Sequence, residues 1–359
     1  MAEQRLSEEK SFELMLREQA RVSGTPLFGA FELTGRCNFE CKMCFVHIDN
    51  TEENRKKELN FEQITTIMQD AIDAGMLFAV LSGGECLLRP DFFDLYSYLY
   101  DRGVKITVKT NGWLISQKHI DFFKAHPPKE ISITLYGSNE DSYEAVTGQR
   151  AFASVLKSVL DVHEARLPLS VTITPTKYSI EDVPNIVSIL KSHHITYSMV
   201  PYLIKPREGI TRDDYYPTIE QQIELLVKLR QMSGKPFYPV ADPLPAAGGN
   251  RIEAQHGVNC SAGAYRFAIT WDGFMIPCFS VPYPRIDMRL HGFADAWKQL
   301  LENDRNVLQP VECDGCAYSK VCIRCPAVRA LDMYSGHCNQ EICSFVTEKA
   351  RHGLLDLSK

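Results

Sequence analysis

The sequence predicts an α/β protein built on a mostly parallel sheet and followed by a small cysteine-rich unit. The first part rests on alternation: from about residue 27, short apolar or β-branched runs take turns with longer amphipathic ones until six strands have been counted. That is the pattern of successive βα units. The second part rests on cysteine usage, because of 12 cysteines three lie at 37–44, one is Cys86 and eight fall between 260 and 343. The 359 residues are enough for roughly two domains, or for one domain with an appendage.

Taken in order, residues 1–26 read as a helical extension, charged throughout in "MAEQRLSEEKSFELMLREQA" and without the apolar core of a secretory signal. The strands expected are "LFGAFELT" (27–34), "LFAVLS" (77–82), "VKITVKT" (104–110), "EISITLY" (130–136), "LSVTITPT" (169–176) and "ITYSMVPY" (195–202). Between the first two, residues 60–75 place Phe61, Ile64, Ile67, Met68 and Ile72 at helical spacing, a core stripe stopped by Gly75. Residues 203–258 connect the two units through one helical stretch, "TIEQQIELLVKLRQM", and the proline- and glycine-rich "KPFYPVADPLPAAGG", where the domain boundary is placed.

Composition narrows the function. The 45% hydrophobic and 23% charged residues are those of a soluble globular protein, and the net charge of −6 argues against a nucleic-acid-binding surface. No stretch is a membrane-spanning run, so a cytoplasmic, membrane-free protein is expected. In that reducing compartment the cysteines read as metal ligands or reactive thiols.

The unusual residues follow strand ends, the rim where sites of α/β folds gather. Cys37, Cys41 and Cys44 follow strand one, Gly83, Gly84 and Glu85 follow strand two, and "TNG" with Asn111 follows strand three. Three thiols are one too many for a disulfide and one too few for a four-coordinate metal. One completion is zinc with His47 as fourth ligand. The other is a 4Fe–4S cluster with three protein thiolates and one iron left for a non-protein ligand.

On these residues the chain resembles the radical S-adenosylmethionine (radical SAM) enzymes. Their signature, Cys-x3-Cys-x2-Cys after the first strand of a partial (β/α)6 barrel, is matched by Cys37, Cys41 and Cys44. The position before the last cysteine, usually aromatic and close to the adenine, is Met43 here. Gly83, Gly84 and Glu85 match the Gly-Gly-Glu turn that in the family binds the methionine amino group. Glycines let backbone approach a cofactor closely, and a carboxylate accepts from an ammonium. The resemblance carries Asn111 and Thr134 over as further SAM contacts. It implies that SAM chelates the free iron, and that one electron from the cluster breaks its sulfonium C–S bond to give a 5'-deoxyadenosyl radical that removes hydrogen from unactivated carbon.

From residue 260 the spacing Cys260-x12-Gly273-x4-Cys278, Cys313-x2-Cys316-x5-Cys322-x2-Cys325, Cys338, Cys343 resembles the SPASM extension, which carries two auxiliary iron–sulfur clusters. The Cys322–Cys325 gap is one residue shorter than usual. "FAITWDGFMIPC" reads as a hairpin turning at Asp272-Gly273. The resemblance gives Cys260, Cys278 and Cys325 to one cluster and Cys313, Cys316, Cys322 and Cys343 to the other. Cys338 then decides whether the first is closed or keeps an open iron. Paired thiols such as "CDGC" and "CIRC" are also zinc-ribbon-like, so two zinc ions remain the alternative.

The implied domains are an extension at 1–26, a radical SAM barrel at 27–225, a linker at 226–258, and a SPASM unit with a C-terminal helix at 259–359. The implied function is oxidative modification of a ribosomal peptide, as a thioether or carbon–carbon crosslink, with a flavodoxin- or ferredoxin-type electron donor. About 26 residues before strand one are too few for a fused leader-binding domain, so a separate leader-binding protein is expected. Alternatives are a sulfatase-maturase-like or small-molecule dehydrogenase, an epimerase using Cys86 as hydrogen-atom donor, and a non-enzymatic metal scaffold. No catalytic base is identified among Asp214, Tyr215, Tyr216 and Asp242 of the connecting region.

Overall fold

The computed structural model describes residues 2–46, 51–200, 215–233, 260–304, 315–318, 322 and 339–355. Each expected strand forms: β1 Phe28–Glu32, β2 Phe78–Ser82, β3 Lys105–Thr110, β4 Glu130–Leu135, β5 Leu169–Ile173 and β6 Tyr197–Met199. The hairpin adds β7 Arg266–Ile269 and β8 Phe274–Ile276, and β9 Ile286–Asp287 follows. One sheet holds all nine in the order β6-β5-β4-β3-β2-β1-β7-β8-β9. Strands β1 to β6 and β7 are parallel to their neighbours, while β8 and β9 run antiparallel.

Among the described residues there are eleven α-helices. They are α1 Ala2–Ser23, α2 Glu52–Lys57, α3 Phe61–Asp73, α4 Phe92–Tyr100, α5 Gln117–Ala125, α6 Glu140–Thr147, α7 Phe152–Glu164, α8 Val183–Ser192, α9 Ile219–Ser233, α10 Phe293–Asp304 and α11 Gln340–Arg351. Helix α3 starts where Asn60 and Gln63 exchange side-chain and backbone hydrogen bonds, a capping box, and its turn ends at Gly75 with φ +111°. Its buried stripe is Ile64, Ile67, Met68 and Ala71; Phe61, expected in the core, is exposed.

Strand alternation separates two environments. Phe31, Leu81, Val108, Ile133 and Ile173 are buried on one face. The register places Val80 beside Thr107, Lys109 beside Ser132, Thr134 beside Thr172, Thr172 beside Ser198 and Phe28 beside Arg266 on the other. A closed eight-stranded barrel fills its interior with layers of branched apolar residues; this inner face is mostly polar. Among the described strands the sheet is open, with β6 and β9 at its edges.

Helix α1 lies across the N-terminal end of the strands. Glu13 pairs with Lys129 (2.5 Å), Arg17 stands 5.1 Å from the centre of the Phe28 ring, and Arg21 donates to the Cys260 carbonyl (2.7 Å). The Trp297 indole of α10 donates to the Gly24 carbonyl (2.7 Å). Helix α9 runs through residue 225, and β7 pairs with β1, so the hairpin extends the parallel sheet.

Candidate functional site

The chain leaving β1 and the chain leaving β2 stay paired past the ends of both strands. Leu33 N–H donates to the Ser82 carbonyl (2.9 Å), Gly84 N–H to the Thr34 carbonyl (2.8 Å) and Glu85 N–H to the Arg36 carbonyl (2.8 Å). Cys37 emerges where this pairing stops. The two glycines make the approach possible: a Cβ on Gly83 (φ +142°) would stand 2.4 Å from the Thr34 carbonyl oxygen, and one on Gly84 2.3 Å from that of Arg36. The sequence reading gave these glycines to cofactor contact. The structure shows that their close approach is to the stem of the cysteine loop.

Glu58, which the sequence reading missed, clamps that stem. Its carboxylate accepts from the Thr34 hydroxyl, from Gly35 N–H (3.2 Å) and from both Nε (3.2 Å) and Nη2 (3.1 Å) of Arg36. Only the tertiary arrangement reveals this, since nothing in a lone glutamate before a helix marks it. Further along, the loop is fixed to the end of α6 by Glu40 N–H on the Thr147 carbonyl (2.8 Å) and Lys42 N–H on that of Val146 (3.0 Å).

Cys41 is buried, and Cys37 and Cys44 are half-buried. Burial pushes the Cys37 thiol up to about 12, helped by the Glu85 and Cys44 charges, and burial with the Cys44 and Cys37 charges raises Cys41 as well. A positive metal group reverses that balance, because coordination deprotonates a thiol outright. Tyr136, just past β4, lies close enough for all three cysteines to raise its own pKa. It too was missed; an aromatic after a strand end was its only sequence signal.

The expected SAM-binding residues converge in part. Glu85 is fully buried; its Oε1 accepts from Leu87 N–H (3.0 Å) and the Thr110 hydroxyl (2.8 Å), and its Oε2 from Asn111 N–H (2.7 Å). Burial raises its pKa against these donors. The Asn111 amide donates to Asn38 Oδ1 (2.7 Å) and lies 3.8 Å from Cys37 Sγ. Cys37, Glu85 and Asn111, far apart in sequence, are joined in one network. Thr134 shares the inner face beside Thr172, but its carbonyl contacts only the Tyr143 hydroxyl (3.4 Å) among the bonds the site makes. Met43 is buried in the core.

The Cys86 sulfur is fully buried and donates to the Lys109 carbonyl (3.3 Å).

Two observations bear on what the cysteines hold. The Nδ2 of Asn38, beside Cys37, is buried with no hydrogen-bond partner, an unsatisfied donor at the loop's mouth. The N–H two residues after the cysteine points at the sulfur at Cys37 (Phe39, 3.4 Å), Cys260 (Ala262, 3.4 Å) and Cys278 (Ser280, 3.2 Å). Such donors stabilise thiolate charge and tune metal–sulfur groups. Three thiols on one short loop, with a buried unsatisfied amide donor beside the first, fit a cluster with SAM.

Of the remaining cysteines, Cys316 and Cys322 are half-buried and Cys343 is exposed on α11. His47, Asp214, Asp242, Cys313, Cys325 and Cys338 lie outside the described residues. Tyr215 and Tyr216 stack on each other, 4.6 Å between ring centres. Among the described residues no helix is long and apolar enough to cross a membrane.

Comparison with known proteins bears on the segment that carries the cysteine loop. Residues 31–190 match the Radical SAM superfamily. The chain carries a radical SAM domain. It is similar to the AdoMet-dependent heme synthase of Methanosarcina barkeri, 24% identical over 326 residues, spanning 85% of this chain and 93% of that one. It is also similar to the mycofactocin maturase MftC of Mycolicibacterium smegmatis, 24% identical over 317 residues, 84% of this chain and 78% of that one. Among solved structures, Streptococcus suis SuiB bound to S-adenosylmethionine shares the fold, with TM-score 0.67, 17% identity, and 89% and 77% of the two chains covered. The likeness to SuiB is one of fold.

Proposed function

We propose that this protein is a radical SAM enzyme that oxidatively modifies a ribosomally made peptide, forming a thioether or carbon–carbon crosslink. The observation that carries the reading is the rim network in which the Gly83-Gly84-Glu85 turn pairs with the stem of the Cys37 loop and Asn111 joins the two. Cys37, Cys41 and Cys44 would hold three irons of a 4Fe–4S cluster, leaving the fourth for SAM. Asn38 Nδ2 offers the unsatisfied donor and Glu85 the acceptor for the cofactor's carboxylate and amino groups. When bound, these groups supply one-electron cleavage of SAM and the carbon radical that takes hydrogen from the substrate. The chain's own part is to fix the loop through Glu58, to orient Asn111 through Glu85, and to enclose the inner face from bulk water with α1 at its lower end.

The peptide reading is supported by relatives. MftC is a mycofactocin maturase, and SuiB has been solved with its precursor peptide SuiA. Cys260, Cys278 and Cys325 would hold one auxiliary cluster, and Cys313, Cys316, Cys322 and Cys343 the second, with Cys338 completing the first. They would accept the electron left on the substrate, and a flavodoxin or ferredoxin would supply the reducing one. A separate leader-binding protein belongs to the same reading. One observation favours a second substrate class: the heme synthase relative is matched over 93% of its length.

The test is anaerobic reconstitution followed by metal counting and a 5'-deoxyadenosine assay with dithionite. Roughly twelve irons per chain, as three cysteine-bound cubanes carry, and SAM-dependent 5'-deoxyadenosine are expected. Replacement of Cys37, Cys41 and Cys44 by alanine should abolish the product. Bound zinc without SAM cleavage would overturn the proposal.

A further inference from the structure

The loop that leaves β3 touches the cysteine loop through both an amide and a ring. Asn111 Nδ2 lies 2.7 Å from Asn38 Oδ1 and 3.8 Å from Cys37 Sγ, and the Trp113 ring stacks on Phe39 with 5.4 Å between ring centres. Backbone on the β3 side sets the direction of the amide contact. Trp113 N–H donates to Asn111 Oδ1 (3.0 Å), which turns Asn111 Nδ2 towards Asn38. Asn38 meets it with its oxygen, and its own Nδ2 is left buried with no acceptor among the described residues.

Each amide along this path has one arrangement. Turning over the Asn111 amide would set its NH2 against the Trp113 N–H, donor against donor at 3.0 Å. Turning over Asn38 alone would set its NH2 against that of Asn111 at 2.7 Å. A side-chain amide exchanges donor for acceptor by rotating, but a backbone N–H only donates. The polarity that begins at Trp113 therefore passes through two asparagines and emerges beside Cys37 as a donor. It does not serve that sulfur, since Cys37 Sγ faces Asn38 Oδ1 (3.9 Å) and accepts from Phe39 N–H (3.4 Å). Buried donors are almost always satisfied, so an acceptor belongs at Asn38 Nδ2.

Asn111 also holds an acceptor on its backbone side. Its N–H donates to Glu85 Oε2 (2.7 Å), and that carboxylate is fully buried. A fixed donor and a fixed acceptor joined through one residue match the carboxylate and ammonium of an α-amino acid headgroup, such as SAM carries. We infer that Asn111 is a positioning residue, which fixes the Asn38 amide as a donor to the SAM carboxylate and does not itself touch SAM. The inference rests on the radical SAM reading and deepens it by giving the carboxylate to Asn38 and the polarity of Asn38 to Asn111.

Equilibrium binding of SAM, and of decarboxylated SAM, is measured on the reconstituted protein under anaerobic conditions without reductant, so that no cleavage occurs. Asn38→Ala should weaken SAM about tenfold or more, the size of one lost hydrogen bond to a charged group. Asn111→Leu, which frees the Asn38 amide to turn without adding charge, should weaken SAM about threefold or more. Neither should change binding of the decarboxylated analogue by more than about twofold, and iron content should match that of the unaltered protein. Should Asn111→Leu lose iron, Asn111→Ala takes its place. The double variant separates positioning from contact: if Asn111 acts through Asn38, it binds SAM no more weakly than Asn38→Ala. A further loss of about threefold or more in the double variant, or equal weakening of both ligands by Asn38→Ala, overturns the inference. Failure of the unaltered protein to bind SAM overturns the radical SAM reading, and the inference falls with it.

Discussion

Replacing Gly84 with alanine tests the architecture of the rim most directly. The added Cβ would meet the Arg36 carbonyl oxygen at 2.3 Å, its carbon at 2.7 Å and the Gly35 oxygen at 2.8 Å, all backbone atoms. No side chain can swing aside, so the two chains must separate. Overpacking of this kind costs about 1–3 kcal/mol. Separation also strains the bonds from Gly84 N–H to Thr34 and from Glu85 N–H to Arg36, each 2.8 Å. At about 1 kcal/mol apiece these bring the expected loss to roughly 3–5 kcal/mol. That is a large share of the ~5–15 kcal/mol by which domains are stable. Gly292→Ala is the comparison, because nothing lies within 4 Å of its added carbon. Its cost, confined to the cap of α10, should stay near or below about 1 kcal/mol. Denaturant titration of both variants, with iron content measured after reconstitution, reads the effect. Gly84→Ala should retain little of the cluster held by the Cys37 loop. If Gly84→Ala unfolds at the same denaturant concentration as Gly292→Ala and keeps its full iron, the glycines are not what joins the two rim segments.

Other outcomes follow from burial and charge. Cys86→Ala should lower stability by about 1–2 kcal/mol through lost packing and the lost bond to Lys109, while leaving the yield of 5'-deoxyadenosine unchanged; a selective loss of product formation with stability intact would return Cys86 to the chemistry. Glu13 is subject to desolvation that raises its pKa, but Lys129 and Arg17 outweigh it and hold the carboxyl below its ordinary 4.5. A lowered folded value means that the stabilisation of α1 is complete above pH 4.5 and is lost as pH falls through the folded value. Hydrogen exchange of α1 should therefore accelerate in acid, less so in Glu13→Gln, and an identical acid response in that variant would refute the linkage.

Much of the fold was legible because periodicity is local. Six runs of apolar or β-branched residues became β1 to β6 in order, and the Asp272-Gly273 turn became the β7–β8 hairpin, with Gly273 at φ +85°. Phe61 misled because helical spacing alone does not fix where the buried arc ends. The domain boundary drawn in the proline- and glycine-rich run stays an expectation. Strand β7 returns to β1 across that break.

By itself the sequence determined the identity of the metal-binding loop, since the ligand spacing Cys37, Cys41 and Cys44 is a property of a single segment. It also determined the order of strands that presents this loop at one rim. The tertiary structure alone decided what surrounds it: that Gly83 and Gly84 meet the loop's own stem, that Glu58 clamps it, that Cys86 is buried, and that Phe28 of β1 pairs with Arg266 of β7. These relations join residues from 22 to more than 150 positions apart, as in the Arg36–Glu58 pair. They depend on packing and register, which no local pattern encodes.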